Sequence, residues 1–291
     1  MKILCIGNVS YDVTYPMDKY PIENIKYRVD DKVTGGGGPS SNAAYLLGKW
    51  GVNTHFAGAI GDDTLGKKLV KEFKSVGVST KHIEVDKGRD TTLAFILLNR
   101  ESGSRTVFTY REDTLVLDKK INEKYDVILM DGQEYEASLH VLKKNPKAIS
   151  IIDAGRVNER IIDLCKKVTY VACSKKFAED YTNIKLIDEE SMNKVIDIMS
   201  KDFKNVIITL EERGSVYKEN GVLKLIPSIK VEVKDSTGAG DFFHGAFTYF
   251  IANKYPLERA VRLSNITGAL SVTKVGTRNS VPLLSDVLKY E

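Results

Sequence analysis

The amino-acid sequence predicts an α/β fold: a mostly parallel central sheet covered by helices on both faces, with a small β-sheet lid. Short apolar runs typical of buried strands alternate with helical stretches, which is the pattern of a parallel sheet. Several runs end in Gly, Asn, Asp or Ser, at the edge where an open α/β sheet binds its ligands. Two further segments alternate apolar and polar residues and do not fit a strand–helix unit, so we assign them to the lid.

The elements of the main sheet follow from apolar runs bounded by polar residues, and the helices from amphipathic stretches between them. Predicted strands cover residues 2–7, 54–60, 125–131, 149–153, 168–173 and 205–210. Predicted helices cover residues 39–50, 64–76, 136–144, 159–167, 189–201, 241–252 and 257–272. A hairpin is expected within residues 211–221, and a further strand at residues 231–233.

The lid is predicted from two segments, approximately residues 13–34 and 91–111, inserted into one domain that spans residues 1–291. In the first segment, residues 27–33 alternate like a strand with one solvated face. In the second, two apolar runs flank Glu101-Ser-Gly-Ser104, which predicts a hairpin. Exposed lid strands predict a homodimer formed by edge pairing.

Composition excludes several classes of protein. The chain has 42% hydrophobic and 28% charged residues, and its net charge of +4 is spread along the sequence, which argues against a nucleic-acid partner. No apolar run approaches the ~18 residues of a membrane span, and residues 1–6 resemble a strand rather than a signal peptide. Cys5, Cys165 and Cys173 lack paired spacing, as buried thiols in a reducing compartment would. We therefore expect a cytoplasmic protein.

The stretch Lys234-Asp-Ser-Thr-Gly-Ala-Gly-Asp-Phe-Phe-His-Gly-Ala-Phe247 predicts an anion site at a helix N-terminus. Gly238 and Gly240, with only Ala239 between them, leave backbone N–H groups uncovered, and the helix adds the positive end of its dipole. Asp241 places a carboxylate beside this site, which favours phosphoryl transfer with the carboxylate receiving a hydroxyl proton. The alternative is that Asp241 only caps the helix. A dinucleotide fingerprint fails, because Phe243 occupies the place of its third glycine.

A second glycine-rich stretch, residues 35–44, leads directly into an apolar helix. Its bare backbone suits a polar ligand, and Asn42 points toward it from the first helical turn; a flexible linker is the alternative. Asp12 follows the first strand at the ligand edge of the sheet, where it either touches a ligand or caps a turn.

Two other patterns are weaker. Residues 61–68 nearly match a P-loop, but Lys68 replaces the Ser or Thr that would bind magnesium, so Asp62 and Asp63 are expected to cap the following helix instead. The histidines show no spacing typical of a metal site, and His244 is expected to pack within its helix. They are His55, His82, His140 and His244.

With both glycine stretches considered, the chain resembles the ribokinase family of carbohydrate kinases, also called the PfkB family. Residues 235–241 resemble the C-terminal signature of that family, and residues 35–44 followed by 58–63 resemble its N-terminal signature. Residues 272–282 resemble its closing loop. The resemblance covers nearly the whole chain and implies the sheet, the helices and a β lid over the sugar.

The resemblance also implies roles for individual residues. Asp241 would be the catalytic base, and Gly238, Ala239 and Gly240 would form the anion hole. The cofactors implied are ATP, Mg²⁺ and, in members with the cation loop, K⁺. Sugar contacts would come from Asn8, Asp12, Gly36, Gly37, Asn42, Gln133 and, on the lid, Arg105. Nucleotide contacts would come from Ser174, Thr209, Gly214, Thr237, Gly240 and Asn265. The monovalent-cation loop would use Asp235, Thr237, Ser271, Lys274, Gly276 and Ser280.

Two departures from the family pattern bear on the substrate. Ser174 and Phe177 stand in the positions of an Asn-x-x-Glu motif that organises Mg²⁺ through water, which leaves Glu179 as the candidate for that role. Glu211 stands where many members have glycine. Both departures are similar to the ketohexokinase-like branch, which favours fructose or a fructose-like ketose, phosphorylated at a primary hydroxyl.

Other substrates and a different function stay open. Arg105, Tyr110 and Arg111, on or just after the second lid strand, either meet an anionic substituent or form a solvated strand edge. The alternatives are thus a nucleoside or phosphosugar kinase, or a non-catalytic sugar-binding relative. In any of these, we expect the helix N-terminus to lower the pKa of Asp241 and make it a weak base.

Overall fold

The computed structural model describes residues 1–291 and confirms the α/β architecture. The strands are β1 (Ile3–Ile6), β2 (Ser10–Met17), β3 (Val33–Gly37), β4 (Thr54–Gly61), β5 (Ser79–Asp86), β6 (Leu93–Asn99), β7 (Arg105–Tyr110), β8 (Val127–Met130), β9 (Ile149–Ala154), β10 (Tyr170–Ser174), β11 (Val206–Thr209), β12 (Ser215–Glu219) and β13 (Val222–Ile226). The helices are α1 (Pro39–Lys49), α2 (Thr64–Ser75), α3 (Tyr135–Lys144), α4 (Glu159–Cys165), α5 (Lys175–Thr182), α6 (Glu189–Met199), α7 (Ala239–Ala252), α8 (Leu257–Ser271) and α9 (Leu284–Leu288). Short 3-10 helices cover Glu211–Arg213 and Thr277–Ser280.

The main sheet has nine strands in the order β13-β12-β11-β10-β9-β8-β1-β4-β5. The strands from β5 to β11 in this order run parallel, and the hairpin β12–β13 adds an antiparallel edge. From β1 the chain moves first to β4 on one side and later to β8 on the other. The crevice beyond the carboxyl ends of β1 and β8 is therefore the topological switch point, where such sheets bind ligands.

Helices cover both faces of this sheet because successive strand residues point to opposite sides. Ile3 and Cys5 pack with apolar residues of α1, α2, α7 and α8 in one core. Leu4 and Ile6 pack with α3, α4, α5 and α6 in the other. Helix α7, which follows Gly238, is strongly apolar, as predicted from its sequence, and therefore packs inside the first core.

The lid is a separate four-stranded sheet with the order β3-β2-β6-β7. The predicted hairpin is confirmed as β6 paired antiparallel to β7. The predicted strand at residues 27–33 is wrong: the exposed residues 18–32 form no strand, and β3 begins only at Val33. The glycine stretch itself pairs with β2, because its bare backbone can lie against that strand, with Ser10 opposite Gly37.

Two smaller expectations also differ from the structure. Residues 231–233 form no strand; Val233 instead contacts Gly103 at the tip of the lid hairpin. Asp63 caps α2 by accepting from Gly66 N (2.7 Å), whereas Asp62 pairs with Lys67. No helix has the length and apolar character needed to cross a membrane.

Candidate active site

The residues predicted to bind an anion lie at the start of α7. Gly238 adopts φ +81°, and a Cβ there would lie 2.4 Å from Cγ2 of Thr277, so both conformation and space demand glycine. The first helical hydrogen bond runs from Phe242 N to Gly238 O (2.9 Å). The N–H groups of the three preceding residues therefore have no helical acceptor. They point out of the helix start, where an anion can bind.

Asp241 lies on the first turn of α7 and accepts a hydrogen bond from Nδ2 of Asn42 on α1 (2.7 Å). This bond joins the two glycine-rich stretches, which are far apart in sequence, at one point. Burial, with a smaller contribution from the Asp153 carboxylate, raises the pKa of Asp241 to about 6 against the opposing effect of the Asn42 hydrogen bond. The expected lowering by the helix N-terminus is wrong, because no backbone N–H donates to this carboxylate and desolvation dominates.

Asp12 and the second glycine stretch form the neighbouring part of the site. Asp12 is buried, accepts from Ser10 Oγ (2.7 Å), and lies so close to Gly37 that a Cβ there would be 2.1 Å from Oδ2. Burial raises the pKa of Asp12 to about 6. A small cavity of ≈ 240 Å³, lined in part by Asp12 and Gly36, opens beside them. Asp12 thus lines a cavity beside the second glycine stretch, and its role toward a ligand stays a prediction.

A larger cavity of ≈ 790 Å³ lies beyond the carboxyl ends of β1, β8 and β9. Of its lining residues only one is apolar, so it suits a polar ligand. Asn8 and Gln133, both predicted as substrate contacts, line it together with several residues that the sequence analysis did not single out. The additional charged residues are Asp131, Asp153, Arg156, Glu159 and Arg160.

Two aspartates were missed although each marks a strand end. Asp131 accepts from Asn8 N (2.9 Å) and Ser40 N (3.2 Å), so it ties the loop after β8 to the end of β1 and the start of α1. Asp153, near the end of β9, faces His244 on α7 at 3.1 Å. His244 is buried in the helix packing as expected, but it has a charged partner that the sequence pattern did not reveal.

The lid arginines are partly committed to contacts within the chain. Arg105 donates to Ser236 Oγ (2.8 Å), beside the anion loop. Arg111 bonds Asn8 Oδ1 (2.9 Å) and pairs with the buried Glu134 (3.0 Å). Arg111 therefore supports the cavity wall, whereas a role for Arg105 toward substrate stays a prediction.

Residues predicted to touch the nucleotide lie at the ends of β10 and β11, in the turn before β12, at the start of α7 and on α8. Ser174 caps α5 by accepting from Phe177 N (3.1 Å), and Phe177 is fully buried in the core. Glu179 accepts from Lys185 Nζ (2.8 Å) and Leu186 N (3.0 Å). Ser174 and Phe177, which stand in the two positions of the family Mg²⁺ motif, offer no carboxylate. The carboxylate of Glu179 is already held by Lys185 and Leu186.

Three other members of this set make structural contacts. Thr209 Oγ1 donates to Cys173 O (3.3 Å), and the buried Asn265 accepts from Ser215 Oγ (2.6 Å). Gly214 has φ +93°, and a Cβ there would lie 2.1 Å from Ile226 O. Glu211, in the family glycine position, adopts φ +56°, so it keeps a left-handed backbone without the glycine.

The predicted cation loop comes together around Asp235. Its carboxylate accepts from Thr237 N and Gly276 N, both at 2.9 Å, and so joins the anion loop to the closing loop. Thr237 Oγ1 is buried without a hydrogen-bond partner. Ser271 and Ser280 donate their hydroxyls to carbonyls three residues earlier, and Lys274 is exposed.

Arg278 in the closing loop was missed, because its position in sequence gave no sign of burial. It is 7% exposed, donates to Ser41 Oγ and to Glu72 (both 2.6 Å), and stacks between Tyr45 and Phe73. This ion pair between the buried Arg278 and the half-buried Glu72, together with the Ser41 hydrogen bond, anchors the closing loop against α1 and α2.

A histidine cluster forms at the opposite, amino edge of the sheet. His55, His82 and Glu123 bring their polar atoms within 4.8 Å of one another, although their spacing in sequence suggested no metal site. Tyr125 Oη lies 2.8 Å from His82 Nε2, and both Lys2 and Lys81 pair with Glu123. This hydrogen-bonded network accounts for the polar groups and takes no part in the catalytic region.

Comparison with known proteins agrees with the geometry. The model of the pfkB family of carbohydrate kinases matches residues 1–284. The chain is 24% identical over 265 residues to the ribokinase of Haemophilus influenzae (87% of this chain, 86% of the relative). It is 26% identical over 285 residues to fructokinase-1 of Oryza sativa subsp. japonica (87% of each chain). The structure of Arabidopsis thaliana ribokinase complexed with ribose and ATP shares the fold, with a TM-score of 0.83, 20% identity, and coverage of 99% and 97%.

The family match and the shared fold are both consistent with the geometry of the candidate site. The match extends over nearly the whole chain, and it includes both glycine stretches and the closing loop. This chain belongs to the pfkB family of carbohydrate kinases, phosphotransferases with an alcohol group as acceptor.

Proposed function

We propose that this protein transfers the γ-phosphate of ATP to a primary hydroxyl of fructose or a fructose-like ketose. One observation carries the proposal: the Asn42–Asp241 hydrogen bond brings the carboxylate, the N-terminal glycine stretch and the uncovered N–H groups of α7 to one point. A hydroxyl near Asp241 and a phosphate at the helix start would then be neighbours, as in-line transfer requires.

In this mechanism Asp241 accepts the proton of the attacking hydroxyl, and Gly238, Ala239 and Gly240 form the anion hole. The pKa of about 6 leaves Asp241 mostly ionised at neutral pH and makes it a better base than an ordinary aspartate. Asn42 holds Oδ2 of Asp241, which orients the carboxylate toward the substrate. The helix N–H groups stabilise charge on the transferring phosphoryl group.

The sugar would lie between the two cavities, with hydroxyls held by Asp12 and Asn42 against the bare backbone of Gly36 and Gly37. Asn8 and Gln133 would contact its far side, and Arg105 would close over it from the lid. The ketose preference rests on Ser174, Phe177 and Glu211 and their similarity to the ketohexokinase-like branch.

ATP would bind beside the ends of β10 and β11, where Ser174, Thr209 and Gly214 lie, with Thr237, Gly240 and Asn265 nearby. Mg²⁺ would supply positive charge to the ATP phosphates, but Phe177 and the engaged Glu179 do not fit a water-mediated Mg²⁺ site. The Asp235 loop does fit a monovalent cation such as K⁺, because the buried Thr237 Oγ1 lacks a partner. That cation would supply positive charge next to the anion loop.

A second candidate substrate is a sugar that already carries an anionic group. Arg156 and Arg160 line the large cavity. Arg156 makes no ion pair or hydrogen bond within the chain, and Arg160 lies over the Tyr135 ring at 5.7 Å. A guanidinium without a partner in a polar cavity is suited to a phosphate, sulfonate or carboxylate. A nucleoside kinase and a non-catalytic sugar-binding protein remain outcomes for the test.

The test is ADP release from ATP and Mg²⁺ with a panel of ketoses, ribose, phosphosugars, sulfonated sugars and nucleosides. A ketose-dependent rate that is lost in Asp241→Asn supports the proposal. A rate with anionic sugars only, with a KM raised at least tenfold in the Arg156→Gln/Arg160→Gln variant, supports the second candidate. Sugar binding without ADP release would identify a non-catalytic relative, and a rate unchanged in Asp241→Asn would refute the mechanism.

We also propose a homodimer formed through the lid, in the cytoplasm. All residues of the edge strand β7 are exposed, including Val107, Phe108 and Tyr110. An apolar edge strand of this kind favours pairing with a second copy. The three cysteines are buried and unpaired, which suits a reducing compartment.

A further inference from the structure

His244 has hydrogen-bond acceptors at both ring nitrogens. It is 3% exposed, with Nε2 3.1 Å from the carbonyl oxygen of Ala172 and Nδ1 3.1 Å from Oδ2 of Asp153. A carbonyl oxygen can only accept, so Nε2 must carry a proton. The carboxylate then favours a second proton on Nδ1. That contact is close but off the line of an ideal hydrogen bond, so it is chiefly an ion pair.

The pair lies next to the proposed base. His244 follows Asp241 by three residues on α7, so the two side chains are one helical turn apart. Asp153 approaches from β9 and also lines the large cavity. Asp241 is faced by Asp153, by His244 and, from the lid, by Arg105. Asp153 in turn acts on Asp131 after β8 and on the Cys173 thiol of β10.

We propose that His244 and Asp153 form a buried imidazolium–carboxylate pair that positions Asp153 and balances the charge around Asp241, so that Asp241 is ionised at neutral pH. The inference rests on the proposed role of Asp241 as base. His244 is a positioning residue in this scheme, because nothing places it against the substrate.

The electrostatics give the two members opposite effects. Asp153 raises the pKa of Asp241, whereas His244 lowers it. The pKa of His244 is itself raised by Asp153 and by Asp241 against the effect of burial. If the imidazolium is removed, the Asp153 charge acts on Asp241 without compensation. If the Asp153 carboxylate is neutralised, Asp241 loses its main repulsive neighbour.

The experiment compares the pH dependence of kcat/KM in the wild type, His244→Gln, Asp153→Asn and the double variant. We expect the acid limb to move up by roughly one pH unit in His244→Gln, which is about a tenfold loss of rate below the limb. The limb should move down in Asp153→Asn and return close to the wild-type position in the double variant. His140→Gln, a histidine on α3 that contacts Asn122, is the matched control and should leave the limb in place.

A second readout does not depend on activity. Long-range ¹H–¹⁵N spectra of the imidazoles, assigned with His244→Gln, should show both nitrogens of His244 protonated at neutral pH. If the acid limb moved in the same direction in His244→Gln and Asp153→Asn, or moved in neither, the inference would be overturned. A neutral His244 tautomer at neutral pH would overturn it as well. Absence of kinase activity in the wild type would refute the proposed function, and the spectra would then decide about the pair alone.

Discussion

The pH dependence of turnover tests the site most directly. With a pKa of about 6, Asp241 is about nine-tenths ionised at pH 7 and about one-tenth ionised at pH 5. If the ionised carboxylate is the base and keeps this pKa in the substrate complex, kcat at saturating ATP and sugar should fall about tenfold over this range. An aspartate with an ordinary pKa near 3.9 would lose only about a tenth of its rate. A coupled ADP assay, run at quarter-unit steps from pH 5 to pH 8, measures the difference.

Two other groups titrate in the same range and need controls. Asp12 also has a pKa of about 6, but as a sugar contact its protonation should raise KM for the sugar rather than lower kcat. Asp12→Asn should therefore keep the acid limb of kcat. The terminal phosphate of ATP titrates near pH 6, so KM for ATP is measured at each pH. A kcat that stays level down to pH 5 would refute the assignment of Asp241 as a base that titrates near pH 6 in the substrate complex.

Four further changes have defined outcomes. Asp241→Asn should lower kcat by ~10²–10⁴-fold. Because burial penalises the ionised form of Asp241 in the folded state, the Asn substitution should also raise the free energy of unfolding by about 1–2 kcal/mol at pH 7. In thermal melts this gain should fade as the pH falls through about 6 toward 4. Gly238→Ala should lower kcat at least tenfold, because the new methyl group would clash with Thr277 at a backbone φ of +81° and so displace residues 238–240. An unchanged kcat would contradict the anion hole. Glu211→Gly should raise the melting temperature, because glycine removes the strain of a φ of +56° and adds about 1 kcal/mol to the free energy of unfolding. Chemical denaturation measures this free energy. Val107→Lys on β7 should convert a dimer to a monomer in light scattering without loss of kcat per site, and a dimer that persists would exclude lid pairing.

Much of the fold could be predicted from local patterns, because its strands are short apolar runs and its helices begin at recognisable caps. Asp63 before α2 and Asn158 before α4 both accept from the backbone N–H three residues on, as such caps do. The lid hairpin followed from two apolar runs around a Ser-Gly turn. Residues 27–33 show the limit of this approach: their alternation is real, but residues 27–32 pair with no strand, and only Val33 joins β3 opposite Thr14.

The candidate site was harder to predict from the sequence, because its residues come together only through the order of the strands in the sheet. Asp131 and Asp153 each looked like a polar residue at the end of an ordinary run. Only the strand order places β8 between β9 and β1, with α7 packed across β8 and β9. Arg278 is a comparable case, since its burial depends on Glu72, which approaches from a distant helix.

The pKa of Asp241 shows why a local rule failed even where the local structure was right. A helix N-terminus stabilises a carboxylate mainly through N–H groups that point at it. In Asp241 the carboxylate turns toward Asn42 instead, and the uncovered N–H groups face the space where a phosphate would lie. The helix dipole would therefore act on a bound phosphate, while burial and Asp153 act on the carboxylate. In the proposed mechanism, one helix start thus supplies both the anion hole and a base with a raised pKa.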